Sequence, residues 1–176
     1  MIKRRLWPIV IFLFLIATWV HAGNITVSSL EDTNTRDDVI TLREAILISE
    51  GRLAPDIFDV LTDAEAVHIS LPVGRGIADT INFSVSGIIT PTSSLPNVAD
   101  DGTVIDASSQ WIGVWPNGET GVILNGKDAG NVPGLVITGA ANCHIRGLFI
   151  TGFGEHGAIT ISSKIINYIG GTQNER

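Results

Sequence analysis

The chain has 176 residues, 11 basic and 18 acidic, with hydrophobic residues at 44% and aromatics at 6%. A net charge of −7 argues against nucleic acid and anionic lipid as partners, because the chain would repel phosphate in either. Cys143 is the single cysteine, which excludes an intramolecular disulfide, and no Cys/His group has zinc spacing, so packing must hold the fold.

Lys3, Arg4 and Arg5 precede an apolar run from Leu6 to Val20, and Val20-His21-Ala22 offers small or apolar residues where a signal peptidase reads. That run of 15 residues falls short of the roughly 20 that span a bilayer. Residues 1–22 therefore read as a cleaved secretory signal, and the remainder is expected to be secreted, extracellular or cell-surface, with no membrane segment. Cleavage removes three of the 11 basic residues, leaving eight against 18 acidic, a formal charge of −10 in 154 residues. That length suits one domain with its own core.

Ile25 to Ser29 alternates as a short strand. The stretch "DDVITLREAILIS", Asp37 to Ser49, announces a helix. Thr41 and Glu44 stand at capping-box spacing, and Leu42, Ala45 and Ile46 make one apolar stripe. Asp37 and Asp38 favour the positive end of the helix dipole, and Gly51 supplies a stop. Two to three turns do not persist alone in water, so this helix must lie on something apolar. Residues 52–78 read as an insertion, with Ile57, Val60, Leu61 and Ala64 at helical spacing and "VGRG" as a loop.

From Asp79 the texture changes to strand-like runs: 80–85, 87–90, 103–106, 122–124, 135–138, 145–151, 158–161 and 165–169. Each is rich in Val, Ile and Thr and bounded by Gly, Asn, Asp or Pro. "GLVITGA" (134–140) and "GLFITGF" (147–153) match at five of seven positions, 13 residues apart. Landmarks recur more widely at 21–23 residues: Ile123 to Ile145, Ile145 to Ile166, Gly134 to Gly157. Such a period is that of a solenoid, and the scarcity of aromatics argues against the alternative of a two-sheet sandwich.

These residues carry a resemblance. "TLREAI" (41–46) is similar to the CSLREA-type motif that opens many secreted, pectate-lyase-like right-handed parallel β-helix proteins. "ADTINF" (78–83), "GTVIDASSQ" (102–110), "VILNG" (122–126), "GLVITGAANCHIRGLFITGF" (134–153) and "NYIGGT" (167–172) resemble the coils of the same proteins. Ile40-Thr41 departs from the motif's Cys-Ser but keeps the capping hydroxyl. The implied fold class is all-β, a right-handed parallel β-helix with a short N-terminal capping helix. Its expected divisions are a signal over 1–22, a capping strand and helix over 23–51, an insertion over 52–78 and coils over 79–176. Thr41, Leu42, Arg43, Glu44, Ala45 and Ile46 are then structural capping residues, with Arg43 pointing outward or paired to an acid. The chain stops at "GGTQNER", straight after a strand, which implies a portion of a longer protein or a partner over that end.

The resemblance also raises polysaccharide cleavage. Asp101, Asp106 and His156 are the candidate catalytic set of that alternative, a lyase or glycoside hydrolase acting on pectin-like polymers. The ordered motifs of polygalacturonases are not reproduced, however, and aspartates beside glycine are ordinary turn chemistry. A lyase would add Ca²⁺ on Asp100, Asp101, Asp106 or Asp128 and need a base, which neither His144 nor Arg146 is fixed to be. The reading taken is a non-catalytic, adhesin-like surface scaffold with no metal and no cofactor, offering a long face to carbohydrate or protein. Trp111 and Trp115, in "SSQWIGVWPNGE", are its candidate sugar-stacking residues.

Overall fold

Short runs in which one isoleucine sits between polar neighbours build the main sheet. The computed structural model describes residues 22–52, 61–111, 121–162 and 167–170. In chain order these form β1 (Asn24–Val27), α1 (Leu42–Ser49), α2 (Asp63–Ala66), β2 (Ile69–Ser70), β3 (Thr80–Phe83) and β4 (Gly87–Ile89). β5 (Val104–Asp106), β6 (Val122–Asn125), β7 (Leu135–Thr138), β8 (His144–Arg146), β9 (Leu148–Thr151), β10 (Ile159–Ser162) and β11 (Tyr168–Ile169) follow. Short 3₁₀ turns at Ser108–Gln110 and Gly126–Asp128 leave β5 and β6.

The strands fall into three sheets: β11-β8-β5-β3-β1-β2, β4-β6-β9 and β7-β10. Every pairing is parallel except β1 with β2. Register places Ile25, Ile81, Ile105, Ile145 and Ile169 in one column across five strands. Paired residues share a face of the pleat, so the column is a single apolar stripe. Its first four members are buried with Leu124, Leu135 and Ile137 of the other sheets.

The expected all-β right-handed parallel β-helix is therefore corrected. Among the described residues the architecture is mixed α/β: two helices and three separate sheets that do not close on one another, the six-stranded one itself mixed because β2 runs antiparallel. Two physical causes stand behind the correction. The segment after Gly51 folds back as α2 and β2 and adds an antiparallel edge beside β1. The strand offsets are also unequal. Partners stand 24 residues apart at Thr80/Val104, His144/Tyr168 and Leu135/Ile159, but 26, 35 and 40 apart at Val122/Leu148, Gly87/Val122 and Val104/His144. The 13-residue likeness joins β7 to β9, which lie in different sheets.

α1 begins where its sequence signals place it. Thr41 is extended, its hydroxyl oxygen accepts from the Glu44 N–H, and Glu44 Oε2 accepts from the Thr41 N–H at 2.9 Å. Gly51, at φ +60°, ends the helix: its N–H donates to Ile48 and that of Arg52 to Leu47, the two bonds of a Schellman closure. Leu42, Ala45, Ile46 and Ile48 are fully buried against β1 and β3. Each large side chain contributes about 1.5–3 kcal/mol, which decides the helix where its length alone would not. α2 repeats the device with Thr62 and Glu65. Ile57 and Val60 lie outside the described residues.

Candidate functional site

Opposite the isoleucine column, strands of the main sheet turn the isoleucines' neighbours outward, polar except for Val104. One row runs Asn24, Thr80, Val104, His144, Tyr168, and a second runs Thr26, Asn82, Asp106, Arg146. Strands about 4.8 Å apart make the first row about 19 Å long, and the rows lie about 7 Å apart. The result is a shallow strip rather than a cleft.

Its members are held to one another. Asn82 Nδ2 donates to Asn24 Oδ1. Arg146 Nη2 lies 2.8 Å from Asp106 Oδ2, and Asp106 Oδ1 accepts from the Ser108 hydroxyl at 2.6 Å and its N–H at 3.0 Å. Burial pushes the Asp106 carboxyl up, but Ser108 and Arg146 together outweigh it and hold it below its ordinary value. At one end the His144 and Tyr168 rings stack, centroids 4.7 Å apart and planes 19° from parallel, with Tyr168 54% exposed. This end offers a flat aromatic platform beside a guanidinium, and the rest of the strip offers amide and hydroxyl groups.

The sequence candidates fall elsewhere or take other parts. Trp111 stands at the margin, 48% exposed, with its indole N–H donating to the Gly147 carbonyl at 3.0 Å and its ring over Gly121. Trp115 lies outside the described residues. Asp106 belongs to the strip as an ion-paired anion. Asp101 precedes β5 and accepts from the Ala141 N–H at 2.8 Å. His156 is exposed on the turn between β9 and β10, where its carbonyl accepts from Thr160. Among the described residues no bond or ion pair joins Asp101, Asp106 and His156. The capping set is placed as a unit: Thr41 and Glu44 close the box, and Leu42, Ala45 and Ile46 face the core. Arg43 grips Asp32 through Nε at 2.8 Å and Nη2 at 3.0 Å and donates to the carbonyls of Ser93 and Ser94. Cys143 is a buried free thiol whose pKa burial pushes up.

A second group of acids, Glu50, Asp79 and Asp100, binds backbone rather than ligand. Glu50 accepts from the N–H groups of Ala99 and Asp100, Asp79 from Gly74 at 2.7 Å, and Asp100 from Gly76 at 2.7 Å. All three are buried, so no substrate reaches them. Burial, with Asp100 and Glu50 nearby, pushes Asp79 up to about 6 against the opposing pull of the backbone N–H of Gly74. Because this folded value lies above the ordinary 3.8, the native state holds the extra proton between the two. Its stability is full below pH 3.8 and falls as pH rises through about 6, by about 2–3 kcal/mol. Asp79→Asn is expected to flatten the stability profile between pH 4 and 7, read as urea midpoints; an unchanged slope would assign that slope to other groups.

No family model, curated protein or solved structure matches this chain. Among the described residues no group of three or more His, Cys, Asp or Glu could hold a metal ion, and no helix is long and apolar enough to cross a membrane. The strip escaped the sequence reading, yet a signal for it existed. "NIT", "TIN", "VID" and "HIR" each bracket an isoleucine between residues that the pleat must turn the other way.

Proposed function

We propose that the chain is a secreted or cell-surface scaffold without catalytic activity, whose six-stranded face binds an extended carbohydrate. One observation carries the reading: two in-register rows, polar but for Val104, lead to a stacked His144–Tyr168 platform with Arg146 beside it. An elongated strip suits a linear polymer better than a small molecule, and sugar rings present apolar C–H faces to aromatic rings while their hydroxyls meet amides and hydroxyls. The N-terminal Lys3-Arg4-Arg5 and apolar run support export, and "TLREAI" supports kinship with secreted LREA-motif proteins.

The test is binding of purified chain to a panel of neutral and acidic polysaccharides, followed by calorimetry on any hit. Tyr168→Ala is expected to weaken that binding about 10-fold, the worth of one stacked ring. Asp101→Asn and His156→Ala should leave it unchanged. A panel with no hit, or hits indifferent to Tyr168 and His144, would sink the assignment.

A further inference from the structure

The parallel register sets Asn24 beside Thr80, so the residues just before them, Gly23 and Asp79, are neighbours too. The Gly23 carbonyl accepts from the Thr80 N–H at 2.8 Å. Gly23 and Asp79 are buried, whereas Ala22 is exposed. The fit is close: a Cβ on Gly23 would meet the Pro72 carbonyl, Val73 and, at 2.6 Å, Asp79 Oδ1. The Pro72 contact is backbone, so the place takes a glycine. The Gly23 N–H acts on the Asp79 carboxylate, which also feels Asp100 and Glu50. All three acids are buried and accept from backbone N–H groups. Exposed Arg52 attracts Glu50, but among the described residues none of the three is ion-paired. Carboxylates taken from water without a paired cation are costly.

We propose that maturation makes the cation: cleavage after Ala22 frees the α-ammonium of Gly23, which pairs with Asp79 as a counter-charge to the buried acids. The inference rests on the reading of residues 1–22 as a secretory signal and is independent of the glycan reading. Hydrolysis adds one water across the Ala22–Gly23 bond. It leaves a carboxylate on Ala22 and an amine on Gly23 that is protonated at neutral pH, its ordinary pKa being about 8. The nitrogen need not travel, because in the intact chain it already neighbours Asp79. A full positive charge replaces one N–H dipole at that point. The side that carried Ala22 faces water, which spares the new charge complete desolvation. The Asp79 value of about 6 is that of the chain with Ala22 attached, and the ammonium draws it down. The cut that releases the exported chain thus also ties its first residue to the acids beside β3.

The full chain is expressed in an exporting host and the secreted product sequenced from its N-terminus, where Gly23 is expected first. Acylation of that product with acetic anhydride, followed across pH by mass spectrometry of the N-terminal peptide, titrates the α-amine. Pairing should set its midpoint at least about one pH unit above that in urea, so the folded amine reacts about 10-fold more slowly at pH 7. Burial without pairing shifts the midpoint the opposite way, since desolvation disfavours the cation. Asp79→Asn should return it to the urea value or below, whereas Glu31→Gln, at an exposed acid, should leave it raised. Circular dichroism checks folding; should Asp79→Asn unfold, the comparison of folded and urea-unfolded native chain decides alone. A product that starts elsewhere, or no product at all, overturns the export reading and this inference with it. A Gly23 start with an unraised midpoint, or one indifferent to Asp79→Asn, overturns the inference alone and leaves export standing.

Discussion

Gly147→Ala is expected to lower stability by more than about 3 kcal/mol, among the largest effects a single methyl group produces. Gly147 stands between β8 and β9 at φ +72°, a region in which an L side chain is strained. Conformation is the smaller part of the cost. A Cβ there would lie 2.2 Å from the Ser108 nitrogen and 2.5 Å from the Ala107 carbonyl carbon. Both contacts are backbone, so no side chain can swing aside, and relief means separating β8 from the segment leaving β5. That separation would also strain the Ala107 N–H bond to the Arg146 carbonyl and the Trp111 indole bond to Gly147 itself. Urea unfolding by circular dichroism checks the loss. Gly130→Ala is the comparison: φ is +79°, but nothing lies within 4 Å of its Cβ, so only the conformational cost of about 1 kcal/mol remains. If the two variants lost equal stability, the close approach at Gly147 would carry no weight.

The same residue shows where the sequence stopped being legible. The run Ile145 to Thr151 reads as one strand because its alternation continues across the glycine. In the fold it is two strands in two sheets, turned apart by the positive φ at Gly147. Local signals with a local cause were readable. Thr41 and Glu44 sit three residues apart because the bonds they make span one turn, and Gly51 ends the helix because a glycine takes φ +60° without steric cost. The strands expected at 80–85, 87–90, 103–106, 122–124, 135–138 and 158–161 stand within a residue or two of their places for the same reason, whereas β2 was not expected and the start of 165–169 lies outside the described residues. Assembly was not readable. Whether strands of similar sequence stack or occupy different sheets depends on where the intervening chain turns. The shared LVIT/LFIT pattern therefore suggested a rung where none exists. The segment after Gly51 carried a second capping box at Thr62 and Glu65, visible in sequence. The antiparallel return of β2 onto β1 has no local signature.

Arg36→Ala is expected to cost about 3–5 kcal/mol at neutral pH, the loss typical when one partner of a buried ion pair is removed. Both capping-box glutamates, Glu44 and Glu65, have fully buried side chains, and among the described residues Arg36 is the cation that bridges them. Its two arms are unequal. Nη2 bonds Glu44 Oε1 at 2.6 Å, whereas Nη1 lies 3.4 Å from Glu65 Oε1 without hydrogen-bond alignment, giving attraction only. Burial pushes the Glu44 carboxyl up, while Thr41 and Arg36 pull it down. Without the guanidinium the folded pKa must rise further above the ordinary 4.5. A raised folded pKa makes the penalty complete at pH 7 and relieves it as pH falls toward the unfolded value. The stability gap between the native chain and Arg36→Ala should therefore narrow between pH 7 and about 4.5. Adding Glu44→Gln to Arg36→Ala should recover part of the loss, because the amide oxygen still accepts from the Thr41 N–H and the stronger arm leaves no charge behind, whereas Glu65 still lacks the attraction of the guanidinium. A loss of equal size at both pH values, with no recovery in the double variant, would mean that Arg36 acts through the packing of its stem and not through its charge.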